Sequence, residues 1–152
     1  MLTLTRTDAT NPEFIQLVRL LDEDLRIRDG EDHSFFAQFN KIDAIRHVVV
    51  AQLNGMPVGC GAVKAYTNQV GEIKRMYMRP EFRQQGIASF ILKELEKWAL
   101  ELNFKEVILE TGKAQPEAIN LYTKSGYQVM PNYGQYEHVE SSVCMKKPTS
   151  LA

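Results

Sequence analysis

Cysteine is scarce. The 152 residues contain two, Cys60 and Cys144, far apart and outside any Cys-x-x-Cys spacing. A disulfide framework and a cysteine-built zinc site are therefore not expected, and the two read as reduced, buried thiols. A run of roughly 20 apolar residues, the length that crosses a bilayer, is also lacking. The first residues, Leu2-Thr3-Leu4-Thr5-Arg6-Thr7, alternate apolar and polar side chains and offer no signal-peptide core. A cytoplasmic protein with no membrane partner is the expectation. Excess charge of one sign is missing too: 18 Lys and Arg stand against 19 Asp and Glu, a formal net charge of -1. With no dense basic run, nucleic acid is not an expected partner. His33, His47 and His138 are scattered singly, and no metal is implied.

What is present is ordinary globular composition, 44% hydrophobic and 24% charged. The length fits a single domain over residues 1–152, burying roughly two thirds of the surface its unfolded chain would expose. No repeat, low-complexity tract or composition shift marks a linker.

Periodicity supplies the elements. After the first strand, Asn11 and Pro12 read as N-cap and first helical residue, with Phe14, Leu17, Val18, Leu21 and Leu25 at helical spacing. Asp29-Gly30 ends that helix, and a second short one is expected over His33 to Asn40, presenting Phe35, Phe36 and Phe39. Val48 to Leu53, Asn54-Gly55 and Met56 to Tyr66 read as a hairpin, because Asn-Gly supplies the positive φ angles of a type I′ turn. Gly59 and Gly61, around Cys60, leave room for a bulge or a close backbone approach. Val70 to Met78 is a further strand, stopped by Pro80. A long helix follows, with Ile87, Phe90, Ile91, Leu95, Trp98 and Leu102 as its apolar face, then a strand from Val107 to Glu110. Strand, helix, strand is a βαβ crossover. Pro116 opens another helix, Gly126 closes it, and strands near Tyr127 to Met130 and Ser142 to Lys146 follow. The tail from Pro148 is expected to be mobile. The fold class is therefore α/β: one mixed sheet carrying about four helices.

The chemistry centres on Arg83-Gln84-Gln85-Gly86-Ile87-Ala88. A pattern of Arg or Gln, two residues, Gly, one residue, and Gly or Ala is weak alone. Here it falls at the strand-to-helix turn of a βαβ unit, where unpaired N–H groups and the helix dipole form an anion site. Gly86 permits close approach of a pyrophosphate. No P-loop and no GxGxxG opening a helix compete with it.

The segment from Glu72-Ile73-Lys74-Arg75-Met76-Tyr77-Met78 through Arg83-Gln84-Gln85-Gly86-Ile87-Ala88 resembles the acetyl-CoA-binding core of the GNAT superfamily of N-acetyltransferases. Ala118 and Tyr122, before Ser125-Gly126-Tyr127, are similar to that family's second core motif. Residues 70–127 carry the match. The resemblance implies acetyl-CoA as co-substrate, an amine as acceptor, and no metal. It also implies that the backbone of Met76, Tyr77 and Met78 pairs with the pantetheine arm, while Arg83 to Ala88 hold the pyrophosphate. Gln84 stands where many relatives have Gly. Gln115, seven residues before Tyr122, stands where many have an Asn that contacts the cofactor. Homodimers are common among similar proteins. The same fold without turnover, as an acyl-CoA-binding module, and transfer from another acyl-CoA or to a hydroxyl remain alternatives.

Attack by an amine requires its neutral form, because an alkylammonium with a pKa near 10.4 is almost wholly protonated at pH 7. Glu72, eleven residues before Arg83, has a spacing similar to the general-base glutamate of histone-acetylating relatives. A strand-end Glu paired with Lys74 or Arg75 is the structural alternative. The resemblance also implies that Tyr122 is the tyrosine that protonates the departing thiolate. Asp22-Glu23-Asp24 with Asp29, Glu31 and Asp32 outnumber the nearby Arg19, Arg26 and Arg28, so an acidic pocket selecting cationic amines is a further expectation.

Overall fold

In the computed structural model, which describes residues 1–29 and 45–150, β1 (Leu2–Thr7) leads into α1 (Pro12–Asp29). The helix starts where the sequence indicates. Asn11 Oδ1 accepts the backbone N–H of Glu13 at 2.8 Å and of Phe14 at 3.2 Å, satisfying two of the first-turn donors. Phe14, Leu17, Val18 and Leu21 are buried, as their spacing requires. The helix expected over His33 to Asn40 lies outside the described residues. Three α-helices rather than about four are present among those that are described.

β2 (His47–Leu53) and β3 (Met56–Ala65) pair antiparallel across Asn54 and Gly55, whose φ angles are 53° and 85°. Both are positive, as a type I′ turn demands. β4 (Val70–Met78) returns antiparallel to β3, and a 3-10 turn at Pro80–Phe82 follows it. α2 (Ile87–Glu101) then carries the chain to β5 (Glu106–Gly112), which runs parallel to β4. α3 (Pro116–Lys124) is closed by Gly126 at φ 96°, with Tyr127 N–H reaching back to the Tyr122 carbonyl at 3.0 Å. β6 (Gln128–Met130) and β7 (Ser142–Pro148) complete a seven-stranded mixed sheet ordered β1-β2-β3-β4-β5-β7-β6. Thr149 remains tied beyond β7: its Oγ donates to the Phe104 carbonyl at 2.7 Å and its N–H to that of Lys105 at 3.0 Å.

Each face of the sheet has its own core. On one, Ile91, Leu92, Leu95 and Ala99 of α2 pack with Val49, Val63, Val107 and Leu109. On the other, α1 packs against Val48, Val50, Cys60, Ala62 and Tyr77. Phe90, placed by periodicity on the buried face of α2, is 52% exposed, whereas Leu92 and Ala99 are fully buried. The stripe is centred on Ile87, Ile91 and Leu95, and Phe90 falls on its rim. Both cysteines are buried and free, and burial pushes the Cys60 thiol up to about 12 and that of Cys144 up to about 11.

One irregularity positions the site. Ile73 and Met76 join the same core, although residues three apart on a strand point to opposite faces. A bulge reconciles them: Cys60 pairs with Tyr77 and Ala62 with Lys74, so β4 has one residue more than β3 there. Arg75 sits in this bulge at φ 58°. Opposite it, an added Cβ on Gly61 would lie 2.4 Å from Met76 Sδ, and one on Gly59 2.2 Å from Met78 Sδ. The bulge thus lies in β4, facing the glycines rather than in their own strand, and the atoms closest to them are the Met76 and Met78 side chains, with the backbone Tyr77 carbonyl 2.9 Å from a Cβ on Gly59.

Candidate active site

β4 and β5 are paired only at Val70, Gly71 and Glu72, with Glu72 opposite Ile108 as the last rung. β4 then continues six residues to Met78 without β5 beside it. One backbone edge over Met76 to Met78 is thereby left open. A cavity of about 100 Å³ occupies the gap. Leu21 and Leu25 of α1 border it from one face of the sheet, and Ala118 and Tyr122 of α3 from the other. The opening thus runs through the sheet between its two cores.

Glu72 lines this cavity and is only 4% exposed, so it is not a surface residue at a strand end. Its Oε2 accepts a 2.6 Å hydrogen bond from the Tyr133 hydroxyl, and Lys74 Nζ stands 3.9 Å from Oε1. The pairing with Lys74 named as the structural alternative is present. Arg75 pairs instead with α1, Nη2 donating to Asp22 Oδ1 at 2.7 Å. Burial lowers the pKa of the Lys74 ammonium, Glu72 opposing that effect.

Tyr122 borders the same cavity, buried to 6% exposure. Among the described residues its hydroxyl has no hydrogen-bond partner, while its ring meets Tyr127 edge-on at 5.7 Å. Burial first, then the Glu110 carboxylate, raises its pKa above the ordinary phenol value. It remains a proton donor throughout the physiological range. Glu110 also lines the cavity and accepts from Ser142 Oγ at 2.7 Å.

At the far end of β4, the turn before α2 has the shape of an anion site. Gln84 and Gly86 both have positive φ, 65° and 81°, and Gly86 is the N-cap with no side chain capping the helix. The first-turn N–H groups are therefore left to face outward. A Cβ on Gly86 would meet nothing within 4 Å. That space is open to a phosphate. Arg83 Nε donates to the Met78 carbonyl at 2.9 Å, and its guanidinium lies over the Tyr77 ring, tying the turn to β4. Ile87 is buried in the α2 core, so only its backbone can serve a ligand, as for Ala88, which packs against that core. Gln115, N-cap of α3, lines the cavity.

Of the residues expected from sequence, Glu72, Met76, Gln115 and Tyr122 line this cavity, whereas Tyr77, Met78 and Arg83 to Ala88 lie outside its lining. Lys74, Arg75, Glu110, Tyr133 and Tyr136 join the site without having been assigned a role from sequence. The signal available was two adjacent cations inside a strand that is otherwise core. Of the acidic stretch, Asp22 meets Arg75 and Glu23 pairs with Arg26 on the surface. Glu31, Asp32 and the Asp29 side chain lie outside the described residues.

A family model described as the acetyltransferase (GNAT) family matches residues 14–127. An IAA acetyltransferase of Azospirillum brasilense is 32% identical over 150 residues, covering 96% of this chain and 97% of that protein. The structure assigned as an acyl-CoA N-acyltransferase from Klebsiella pneumoniae superposes with a TM-score of 0.83 at 30% identity, covering 99% of both chains. A GNAT acetyltransferase from Elizabethkingia anophelis, solved with acetyl-CoA bound, shares the fold at 18% identity, with a TM-score of 0.67 and 97% of both chains covered. The chain belongs to the GNAT family of acetyltransferases. Its chemistry is acyl-CoA-dependent acyl transfer.

Proposed function

We propose that this protein transfers an acetyl group from acetyl-CoA directly to a primary amine, with Glu72 as general base and Tyr122 as general acid. The observation that carries the reading is that both residues border one cavity, set where β4 and β5 part. The site suits the co-substrate, because the open space over Gly86 and the uncapped first turn of α2 accept a pyrophosphate. Backbone N–H groups of Gln84, Gln85, Gly86, Ile87 and Ala88 would hold it, and the open edge at Met76, Tyr77 and Met78 would pair with the pantetheine arm. Gln115 takes the place at which many relatives contact the cofactor through Asn. Acetyl-CoA, when bound, supplies an activated acyl group on a thiol leaving group.

The roles of the side chains follow from their surroundings. Glu72 retains acceptor capacity on both oxygens despite Tyr133 and Lys74, since a carboxylate offers about four lone-pair sites. It removes the proton that the amine must lose. The new C–N bond forms as the C–S bond breaks, and the Tyr122 hydroxyl delivers its proton to the departing sulfur. Burial keeps that phenol protonated until then.

Thiol release from acetyl-CoA, measured against a library of primary amines, tests the activity. Turnover with at least one amine class is the expected result. Binding of acetyl-CoA with no turnover on any acceptor would favour a non-catalytic module instead. Glu72→Gln is expected to lower kcat by 10²-fold to 10⁴-fold with acetyl-CoA affinity kept. A loss below about tenfold would remove Glu72 from the base role.

A further inference from the structure

We propose that the acceptor is a small amino acid: its amine faces Glu72, and its carboxylate is bound by Arg75. This rests on the acyl-transfer reading above and specifies its acceptor. Among the described residues the cavity carries both signs of charge. Its wall carries two carboxylates, Glu72 and Glu110, and two cations, Lys74 and Arg75. A ligand that answers both signs is a zwitterion.

Arg75 is the informative member. The bulge fixes its backbone at φ 58°, and its side chain is 2% exposed. A guanidinium grips a carboxylate best through two parallel N–H groups, such as Nε with Nη2. Here that fork is half used. Nη2 donates to Asp22 Oδ1 at 2.7 Å, whereas Nε is buried and without a hydrogen-bond partner among the described residues. A buried donor left unpaired is costly, and a native site that tolerates one has a use for it. Asp22, by contrast, is 52% exposed, on α1, so it can turn to solvent when another anion replaces it. An incoming carboxylate takes its place and completes the fork. Lys74, beside Arg75 and also on the cavity wall, adds to the positive potential.

The test uses the full chain, acetyl-CoA, and free α-, β- and γ-amino acids, each beside its own carboxamide. The carboxamide keeps the amine and the shape but loses the charge. At least one amino acid is expected to exceed its carboxamide by about 10²-fold in kcat/KM, the scale of a buried charged pair. Arg75→Gln should bring that ratio below about tenfold while calorimetric affinity for acetyl-CoA is unchanged. Should Arg75→Gln fail to fold, Arg75→Lys keeps the charge and loses the fork, and is expected to forfeit most of the preference. Carboxamides turned over as well as acids, or a preference surviving at Arg75→Lys or Arg75→Gln, would overturn the proposal while leaving acyl transfer intact. If no acceptor is turned over, direct calorimetric binding of the same panel decides: carboxylate-dependent and Arg75-dependent binding supports the site, and its absence sinks it.

Discussion

The Tyr133 hydroxyl donates a 2.6 Å hydrogen bond to Oε2 of Glu72, from a residue 61 positions further along the chain. Tyr133 is itself braced, its ring meeting Tyr66 at 5.2 Å and Tyr136 at 5.7 Å, both edge-on. The carboxylate therefore points where the segment between β6 and β7 directs it. Burial, followed by the Glu72 charge, raises the Tyr133 pKa, so this donor keeps its proton.

Tyr133→Phe keeps the ring contacts and removes the donor. We expect kcat to fall about tenfold, with acetyl-CoA affinity unchanged, from the loss of one hydrogen bond to a charged group. The double-mutant cycle is the sharper measurement. If Tyr133 acts through Glu72, adding Tyr133→Phe to Glu72→Gln should cost little further activity, whereas additive losses would show an independent role.

Gly86 allows a separate check on the anion site. At φ 81° an L residue is strained, so Gly86→Ala should cost about 1 kcal/mol in stability, with no clash, because nothing lies within 4 Å of the new Cβ. Gly86→Glu adds a negative charge where the pyrophosphate belongs. Calorimetry is expected to show weakened acetyl-CoA binding for Ala and none for Glu, both proteins being folded by circular dichroism. Wild-type affinity in Gly86→Glu would move the pyrophosphate elsewhere.

Local signals account for what could be read before the structure. Asn11-Pro12, Asn54-Gly55 and Gly126 are each recognised by backbone chemistry that acts within a few residues, and each falls where expected. Glu72 and Tyr122 were singled out by the resemblance to the GNAT family, and both line one cavity. The bulge at Arg75 was legible only as two glycines in the facing strand, where a Cβ would crowd the Met76 and Met78 side chains. Tyr133 was not legible at all. Its partner lies 61 residues away, and nothing in the pattern Pro131-Asn132-Tyr133-Gly134 distinguishes a hydroxyl aimed at a carboxylate from one in a surface turn.

Alkaline pH offers a test of the buried phenols. Burial is the largest cause raising the pKa of Tyr122, Tyr127 and Tyr136, with nearby carboxylates adding to it. Each raised folded-state value makes the protonated form part of the fold. The associated stability is fully present below the unfolded pKa of about 10 and is lost as pH rises above it. Urea midpoints are therefore expected to be level from pH 7 to 9 and to fall steeply beyond pH 10, as tyrosinate absorbance rises. In a Tyr66→Phe background, which removes the exposed phenol, tyrosinate appearing near pH 10 with no loss of the fold would contradict the burial of these hydroxyls.

Tyr122→Phe is the most direct test of the acid role. The helix α3 begins at Pro116, packs its buried face on the sheet, and delivers Tyr122 to the cavity opposite α1. With no hydrogen-bond partner among the described residues, the hydroxyl is not committed to holding the fold, so removing it should leave stability within about 1 kcal/mol of wild type. An ordinary thiol has a pKa near 8.5, and the phenol is held above its usual value near 10, so full proton transfer is uphill even to a formed thiolate, and the hydroxyl helps chiefly by hydrogen-bonding the charge that develops on sulfur. The contribution is accordingly modest. We expect kcat to fall about 10²-fold, at the lower end of general acid and base effects. KM for acetyl-CoA should change little, because the ring that packs beside Tyr127 is retained. Because the phenol stays protonated across the range of assay, the loss should be uniform from pH 6 to 9. Wild-type kcat in Tyr122→Phe over that range, with acyl transfer shown to be rate-limiting, would leave Tyr122 as a packing residue and assign the proton to solvent.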